Sequence, residues 1–308
     1  LLVIDWSDLT PDQRWHWLRA SVAVEGRSVT LYEEVHPQRR LGNPRVHRQF
    51  LARVAKLLPP GCEPIVMTDA GFHATWFKAV AARGWAFIGR IRGRDMVRHG
   101  AGPWMRATTL YGQAIEQPRD LGQHTYVRSN PIDTRLVLAK LPARGRHRLN
   151  IYGRRRAGRT SAKCARAARE PWLLAASRRL DHLTPASIIQ LYAQRMGIEE
   201  SFRDTKNLRW GQGLHTTRSR TRERLQMLLL IGHLAAFVQR LIGEEAKAHQ
   251  LELNFMATHR RTRPEISVLT LARRILQSVS PSDWLERLAP WAAIPPRRLQ
   301  AINACASA

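Results

Sequence analysis

With 308 residues, 44% of them hydrophobic and 24% charged, the chain is long enough to bury a proper core and too ordinary in composition to be disordered, collagen-like or a coiled coil. Its charge is not ordinary: 50 Lys and Arg against 24 Asp and Glu leave a formal +26 at pH 7. An excess of that size repels itself and is relieved by a polyanion, nucleic acid first and an acidic membrane surface second.

The chain opens on Leu-Leu-Val-Ile-Asp without a Met and enters a strand at once, so it reads as truncated at its N-terminus. Strands are expected over 1–5, 15–24 and 28–35, the last two joined by the turn signal Glu25-Gly26-Arg27, which makes a three-strand meander. Residues 46–58 repeat apolar side chains at helical spacing (Phe50, Leu51, Val54, Leu57, Leu58) and stop at Pro59-Pro60-Gly61. A short apolar run of buried-strand type, 64–68, ends in Asp69-Ala70-Gly71, and 75–83 is helical up to Gly84. The order to this point is βββαβα.

From 85 to 170 the helical period gives way to short strand-like pieces (86–91, 126–127, 134–140, 149–152) between Gly, Pro and Asn, an inserted and mostly β segment. Between Arg83 and Arg169 there are 20 Lys and Arg and only four acidic residues, so most of the net charge sits here. Its densest part, from Arg144 to Arg169, holds ten basic residues and no acidic one, including Arg154, Arg155 and Arg156. Such a run is either a solvated loop or a surface for phosphate backbones, and the total charge favours the second. Beyond it, 171–176 reads as a return strand, and Thr184-Pro185 as N-cap and first position of one helix running to about 208. Helices are further expected over 222–242, 268–279 and 281–289. The most apolar stretch, 228–238, is shorter than the ~20 residues of a membrane span, carries His233, and reads as a buried helix. Cys62, Cys164 and Cys305 are far apart and support neither a disulfide framework nor a zinc site.

On a single helix through 186–208, Tyr192, Arg195, Glu199 and Lys206 fall within an arc of about 60°. A hydroxyl and two cations flanking one carboxylate can hold phosphate oxygens beside a metal-binding group, although Arg195 and Glu199 are also an ordinary i,i+4 ion pair. Asp5 and Asp69 each end an apolar strand, where sites form in open α/β sheets; taken singly, a strand-end Asp is ordinarily a turn former. Two strand-end carboxylates combined with a helix-borne Glu199 suggest a constellation for two metal ions. Asp8, outside the apolar run, reads as a turn or cap.

Tyr192-x2-Arg195-x3-Glu199-x6-Lys206 resembles the Y-R-E-K signature of the fourth numbered family of bacterial insertion-sequence transposases. That DDE group includes the enzymes of the composite tetracycline- and kanamycin-resistance transposons. Val3-Ile4-Asp5-Trp6-Ser7-Asp8 is similar to the family's first-Asp segment, and Thr68-Asp69-Ala70-Gly71-Phe72 to its second, and the likeness runs over nearly the whole chain. The resemblance implies an α/β fold: an RNase H-like catalytic core with a β-rich insert between the second Asp and the Glu, followed by a helical C-terminal region. On that basis residues 1–84 are the first part of the core, 85–170 the basic insertion, 171–215 the second part with the Y-R-E-K helix, and 216–308 the helical region.

The resemblance further implies that Asp5, Asp69 and Glu199 are catalytic and bind two Mg²⁺ ions, with Mn²⁺ able to substitute. Tyr192, Arg195 and Lys206 would hold phosphate near the element's 5′ end. Trp172 would stack on a flipped base, its alternative being a core Trp at a strand start. Arg154, Arg155 and Arg156 are expected to contact DNA. The expected partners are transposon ends and target DNA, the assembly a synaptic homodimer, and the location a bacterial cytoplasm at the nucleoid, with no membrane. Relatives carry an N-terminal region for end recognition that this chain lacks. A catalytically silent DNA-binding remnant and another RNase H-like nuclease, such as a junction resolvase, are the competing classes.

Overall fold

The computed structural model describes residues 1–24, 27–93, 95–142, 158–208, 211–255 and 266–278. Its strands are β1 (Leu2–Asp8), β2 (Trp15–Val24), β3 (Arg27–Pro37), β4 (Ile65–Thr68), β5 (Ala86–Ile91), β6 (Met96–Arg98), β7 (Met105–Arg106), β8 (Arg119–Tyr126), β9 (Ile132–Ala139) and β10 (Trp172–Ala176). The helices are α1 (Pro44–Ala55), α2 (Ala74–Ala81), α3 (Arg159–Arg169), α4 (Pro185–Ala193), α5 (Met196–Lys206), α6 (Arg222–Ala248) and α7 (Val268–Ser278). All ten strands form one sheet in the order β3-β2-β1-β4-β5-β10-β9-β8-β6-β7. The protein is thus a mixed α/β fold around a large sheet. The chain divides into two compact units, one of residues 1–6, 19–32 and 39–198, the other of 7–18, 33–38 and 199–308.

In the first unit, β1, β4 and β5 run parallel, and β5, β10, β9 and β8 pair antiparallel in turn. The strands at its centre are apolar on both faces: Leu2, Val3 and Ile4, Val66 and Met67, and Leu173 to Ala176 are all buried. That pattern marks strands covered on both sides. Alternation along β5 separates the two coverings. Phe87 stacks on Phe77 of α2 at 4.7 Å, and a Cβ on Gly89 would collide with the same Phe77 ring, so odd positions face α2. The even positions Ile88 and Arg90 face the other way, toward α4, which packs on β5 and β9.

Segment 85–170 adds its strands to the same sheet, because β5 lies between β4 and β10, and β6 to β9 continue it. The segment also contains α3, which the sequence pattern hides: Ser161 and Ala165 are buried four residues apart, with exposed Arg159, Arg166 and Arg169 around them. Arg154, Arg155 and Arg156, the strand expected at 149–152 and the helix expected at 281–289 lie outside the described residues.

In the second unit, the expectation of a buried helix at 228–238 is corrected. The stretch lies within the 27-residue α6, where Met227, Leu230, Ile231, Leu234, Phe237 and Val238 are all exposed. The buried positions are instead Leu225, Leu229, Ile242, Gly243 and Ala246. Apolar residues on nearly every position of 227–238 leave no polar face to mark which side is covered, so periodicity alone cannot place it. α6 is long and apolar enough to cross a membrane by length and composition, although His233 lies 2.8 Å from Glu33 and Arg240 pairs with Glu244. α7 packs on α6 through Leu271 and Ile275 around Ala246.

One buried cation fastens the loop that leads into α4. Arg135 of β9, 7% exposed, donates to both the Asp120 carboxylate and the carbonyls of Leu180, Asp181 and Leu183. Arg135→Leu is expected to cost about 1–3 kcal/mol, because it removes the charged hydrogen bonds to Asp120 and to three carbonyls, of which that of the buried Leu180 loses its donor. Urea unfolding of the variant would show it; a change below 0.5 kcal/mol would contradict the assignment, roughly the range of an ordinary surface substitution.

Candidate active site

Asp5 and Asp69 stand side by side at the carboxyl end of the parallel strands. The β1–β4 register pairs Leu2 with Val66 and Val3 with Met67; the same offset sets Asp5 beside Asp69. The strand expected to end at Asp5 is corrected: β1 runs on to Asp8, expected as a turn or cap, so Asp5 lies in mid-strand after the buried Leu2 to Ile4, whereas Asp69 directly follows β4. Asp69 Oδ1 accepts the Gly71 amide at 2.8 Å in an Asx turn, and a Cβ on Gly71 would crowd that oxygen at 3.1 Å. Asp5, 8% exposed, accepts the Trp6 amide on Oδ1 and the Arg195 guanidinium on Oδ2, at 2.8 and 3.2 Å.

Arg195 reaches Asp5 because the helix expected through 186–208 is in fact two. α4 ends at Ala193 and α5 begins at Met196, with Gln194 and Arg195 in a turn between them. Amide donations from Arg195 to Tyr192 and from Gly197 to Gln194 tighten this turn to i,i+3 bonds. Gly197 packs against the backbone carbonyl of Arg27, an approach that any Cβ would block. A single arc for Tyr192, Arg195, Glu199 and Lys206 is therefore corrected: the angular arithmetic does not carry across the break.

Tyr192 and Arg195 are both buried, at 2% and 8% exposure, and belong to the first unit with the two Asp residues. Burial pushes the Tyr192 phenol up to about 12, partly offset by Arg195 and Arg90 and reinforced by Asp69 and Asp5. The phenol therefore stays neutral. Trp172, half-buried at the start of β10, meets the Tyr192 ring edge-on at 5.1 Å. Glu199 and Lys206 lie on α5 in the second unit, where Lys206 donates to Ser7 Oγ at 2.8 Å and lies over the Trp17 and Phe202 rings.

Sequence reasoning missed Arg90. Its Nη2 donates to the carbonyls of Glu170 and Pro171 at 3.3 Å, which fixes the chain just before Trp172, and burial, then Arg92, lowers its pKa. The signal was a cation inside the otherwise apolar run Ala86–Ile91.

Two hard oxygen donors at adjacent strand ends suit a divalent cation such as Mg²⁺, and the guanidinium against Asp5 shows where positive charge is needed. Among the described residues, no three His, Cys, Asp or Glu side chains are grouped to hold a metal ion.

Residues 1–237 match the family described as transposase DDE domain, so the chain belongs to that family, whose enzymes are transposases. No curated protein matches the chain. Among solved structures, it is similar to a chain of a piggyBac transposase synaptic complex with hairpin DNA, at 13% identity and a TM-score of 0.43. The match covers 99% of this chain and 56% of that one, so the chain spans a little over half of that transposase's length.

Since the folded Tyr192 pKa lies above the ~10 of an unfolded tyrosine, its contribution to stability is complete below about pH 10 and is lost as pH rises through about 12. Tyr192→Phe is expected to lose less stability than the parent protein between pH 9 and 11, measured by urea unfolding. Parallel declines in the two proteins would contradict a neutral buried phenol.

Proposed function

We propose that the chain is the catalytic part of a cut-and-paste DNA transposase that uses DDE two-metal phosphoryl transfer. The finer attribution is to the Y-R-E-K insertion-sequence family, nearest the tetracycline-transposon enzyme. The observation that carries the reading is the placement of Asp5 within β1 and Asp69 just after β4, two neighbouring parallel strands whose register, continued by two residues, pairs them, in a member of the DDE family. The strand order β3-β2-β1-β4-β5, with β1, β4 and β5 parallel, supports an RNase H-like core with the acids on its first and fourth strands. A β-rich insertion then precedes the segment that bears Glu199.

Asp5, Asp69 and Glu199 would hold two Mg²⁺ ions, Mn²⁺ substituting; when bound, these supply Lewis-acid activation of nucleophile and leaving oxygen. The protein's own groups do the rest. Arg195, Tyr192 and Lys206 bind the phosphate next to the scissile bond, Arg195 as a bidentate donor and Tyr192 through its neutral hydroxyl. Trp172 offers a ring on which an unpaired base stacks, held in place by the Arg90 grip on Pro171. Arg154, Arg155 and Arg156 contact the DNA backbone. The reaction sequence is end nicking, hairpin formation and opening, then strand transfer into target DNA by a homodimer that pairs two ends. We assign the protein to the bacterial nucleoid and to no membrane.

Glu199→Gln is expected to abolish Mg²⁺-dependent joining of precut ends, taken from the inverted repeats flanking the gene, while DNA affinity stays within about threefold. Equal joining by the variant would remove the catalytic assignment. Binding without joining by both proteins would favour a silent remnant, and a preference for four-way junctions over linear ends a resolvase.

A further inference from the structure

A cluster of arginines at the entrance to α1 has no role in the site described above. Arg39 and Arg40 form the 3-10 turn Gln38–Arg40, and Arg45 and Arg48 lie in the first turns of α1; all four are exposed. No carboxylate among the described residues pairs with any of them, and the sequence from Val35 to Cys62 contains no acidic residue. Their position is electrostatically unfavourable. The N-terminus of a helix carries a partial positive charge and favours Asp or Glu, yet the first turn of α1 has no acidic residue. Four like charges gathered at that end repel one another and the helix dipole, and a stable fold tolerates this more readily where an anion arrives to relieve it.

The cluster also lies at the catalytic end of the sheet. Trp6, next to Asp5, donates from its indole to His47 Nε2 at 3.0 Å, and His47 sits between Arg45 and Arg48. Phe72, three residues after Asp69, stacks on the same His47 ring at 5.3 Å. Trp6 and Asp5 point to opposite faces of β1, so α1 covers the face away from Arg195. The strand ends thus have two sides: Asp5, Asp69, Tyr192 and Arg195 on one, the arginine cluster on the other.

We propose that Arg39, Arg40, Arg45 and Arg48 bind the phosphate backbone of the target duplex, a deepening that rests on the transposase reading. The target is favoured over the element end for two reasons. Guanidiniums on an open surface neutralise phosphates without reading bases, which suits a duplex accepted with little regard to sequence. The opposite face of the same edge already offers Tyr192, Arg195 and Trp172 to the cleaved strand, so a second duplex needs a separate surface.

The test is the full chain with Arg39, Arg40, Arg45 and Arg48 all changed to Gln, alongside the two paired variants R39Q/R40Q and R45Q/R48Q. Binding to a short duplex of unrelated sequence is measured by anisotropy across a salt series. The slope of log affinity against log salt should become shallower by about 3.6, since each of the four lost phosphate contacts removes about 0.9. Joining of precut ends to a target should fall at least tenfold and recover with excess target, while nicking of the element end stays within about twofold. An unchanged salt slope overturns the proposal, and so does a loss of nicking in step with joining, which would assign the cluster to the element end. If the parent protein neither nicks nor joins, the transposase reading fails, and the salt slope still decides whether the cluster binds duplex DNA. The paired variants keep the result readable should the fourfold change impair folding.

Discussion

Two negative charges held side by side at the mouth of a buried sheet define this protein. The β1–β4 register fixes Asp5 beside Asp69, and the fully buried residues behind them allow neither to slide away. Positive charge close by favours carboxylates on neighbouring strands. Arg195 supplies part of it, and much of the neighbouring architecture exists to deliver that guanidinium: the turn between α4 and α5, the glycine that lets it form, and the Arg135 grip on the loop before α4. In the proposed reading, a divalent cation supplies the remainder.

The surroundings of the pair divide by chemistry. On the Tyr192 side, side chains are buried and their protonation states are set by the protein interior: a phenol kept neutral, a guanidinium held against Asp5. On the α1 side, Arg39, Arg40, Arg45 and Arg48 are exposed and pair with no carboxylate among the described residues. Buried groups can position one phosphate closely because they have few alternatives, whereas exposed arginines can follow a backbone whose path varies. In the proposed reading, fixed and adaptable recognition meet along one end of the sheet.

Much of this was legible in the sequence, for identifiable reasons. The apolar runs before Asp5 and Asp69 stood out, as did the meander and the helix after it, although β1 continues past Asp5 to Asp8 because its last residues are polar and half-buried. Other features were hidden by ambiguity of pattern. The α4–α5 break has no proline, and Gly197 marks it only through a close approach to Arg27 that linear spacing cannot reveal. α3 was masked because arginine long stems can line a helix whose buried positions are merely Ser161 and Ala165. Arg90 was overlooked inside an apolar run, where a lone cation is easily discounted as noise. Glu199 and Lys206 were singled out by helical spacing and by motif, and the spacing does not hold, since helical periodicity had joined two elements into one.

The open side of α6 sets a conflict of solvents for anyone handling the protein. A chain with 50 basic residues copurifies with nucleic acid, and concentrated salt is the ordinary means of stripping it. Salting-out anions such as sulfate, however, strengthen the clinging of oily surfaces, and Leu230, Ile231, Leu234 and Phe237 present one to the solvent. The workable window lies with weakly structuring salts such as sodium chloride, strong enough to release polynucleotide and too gentle to drive greasy helices together.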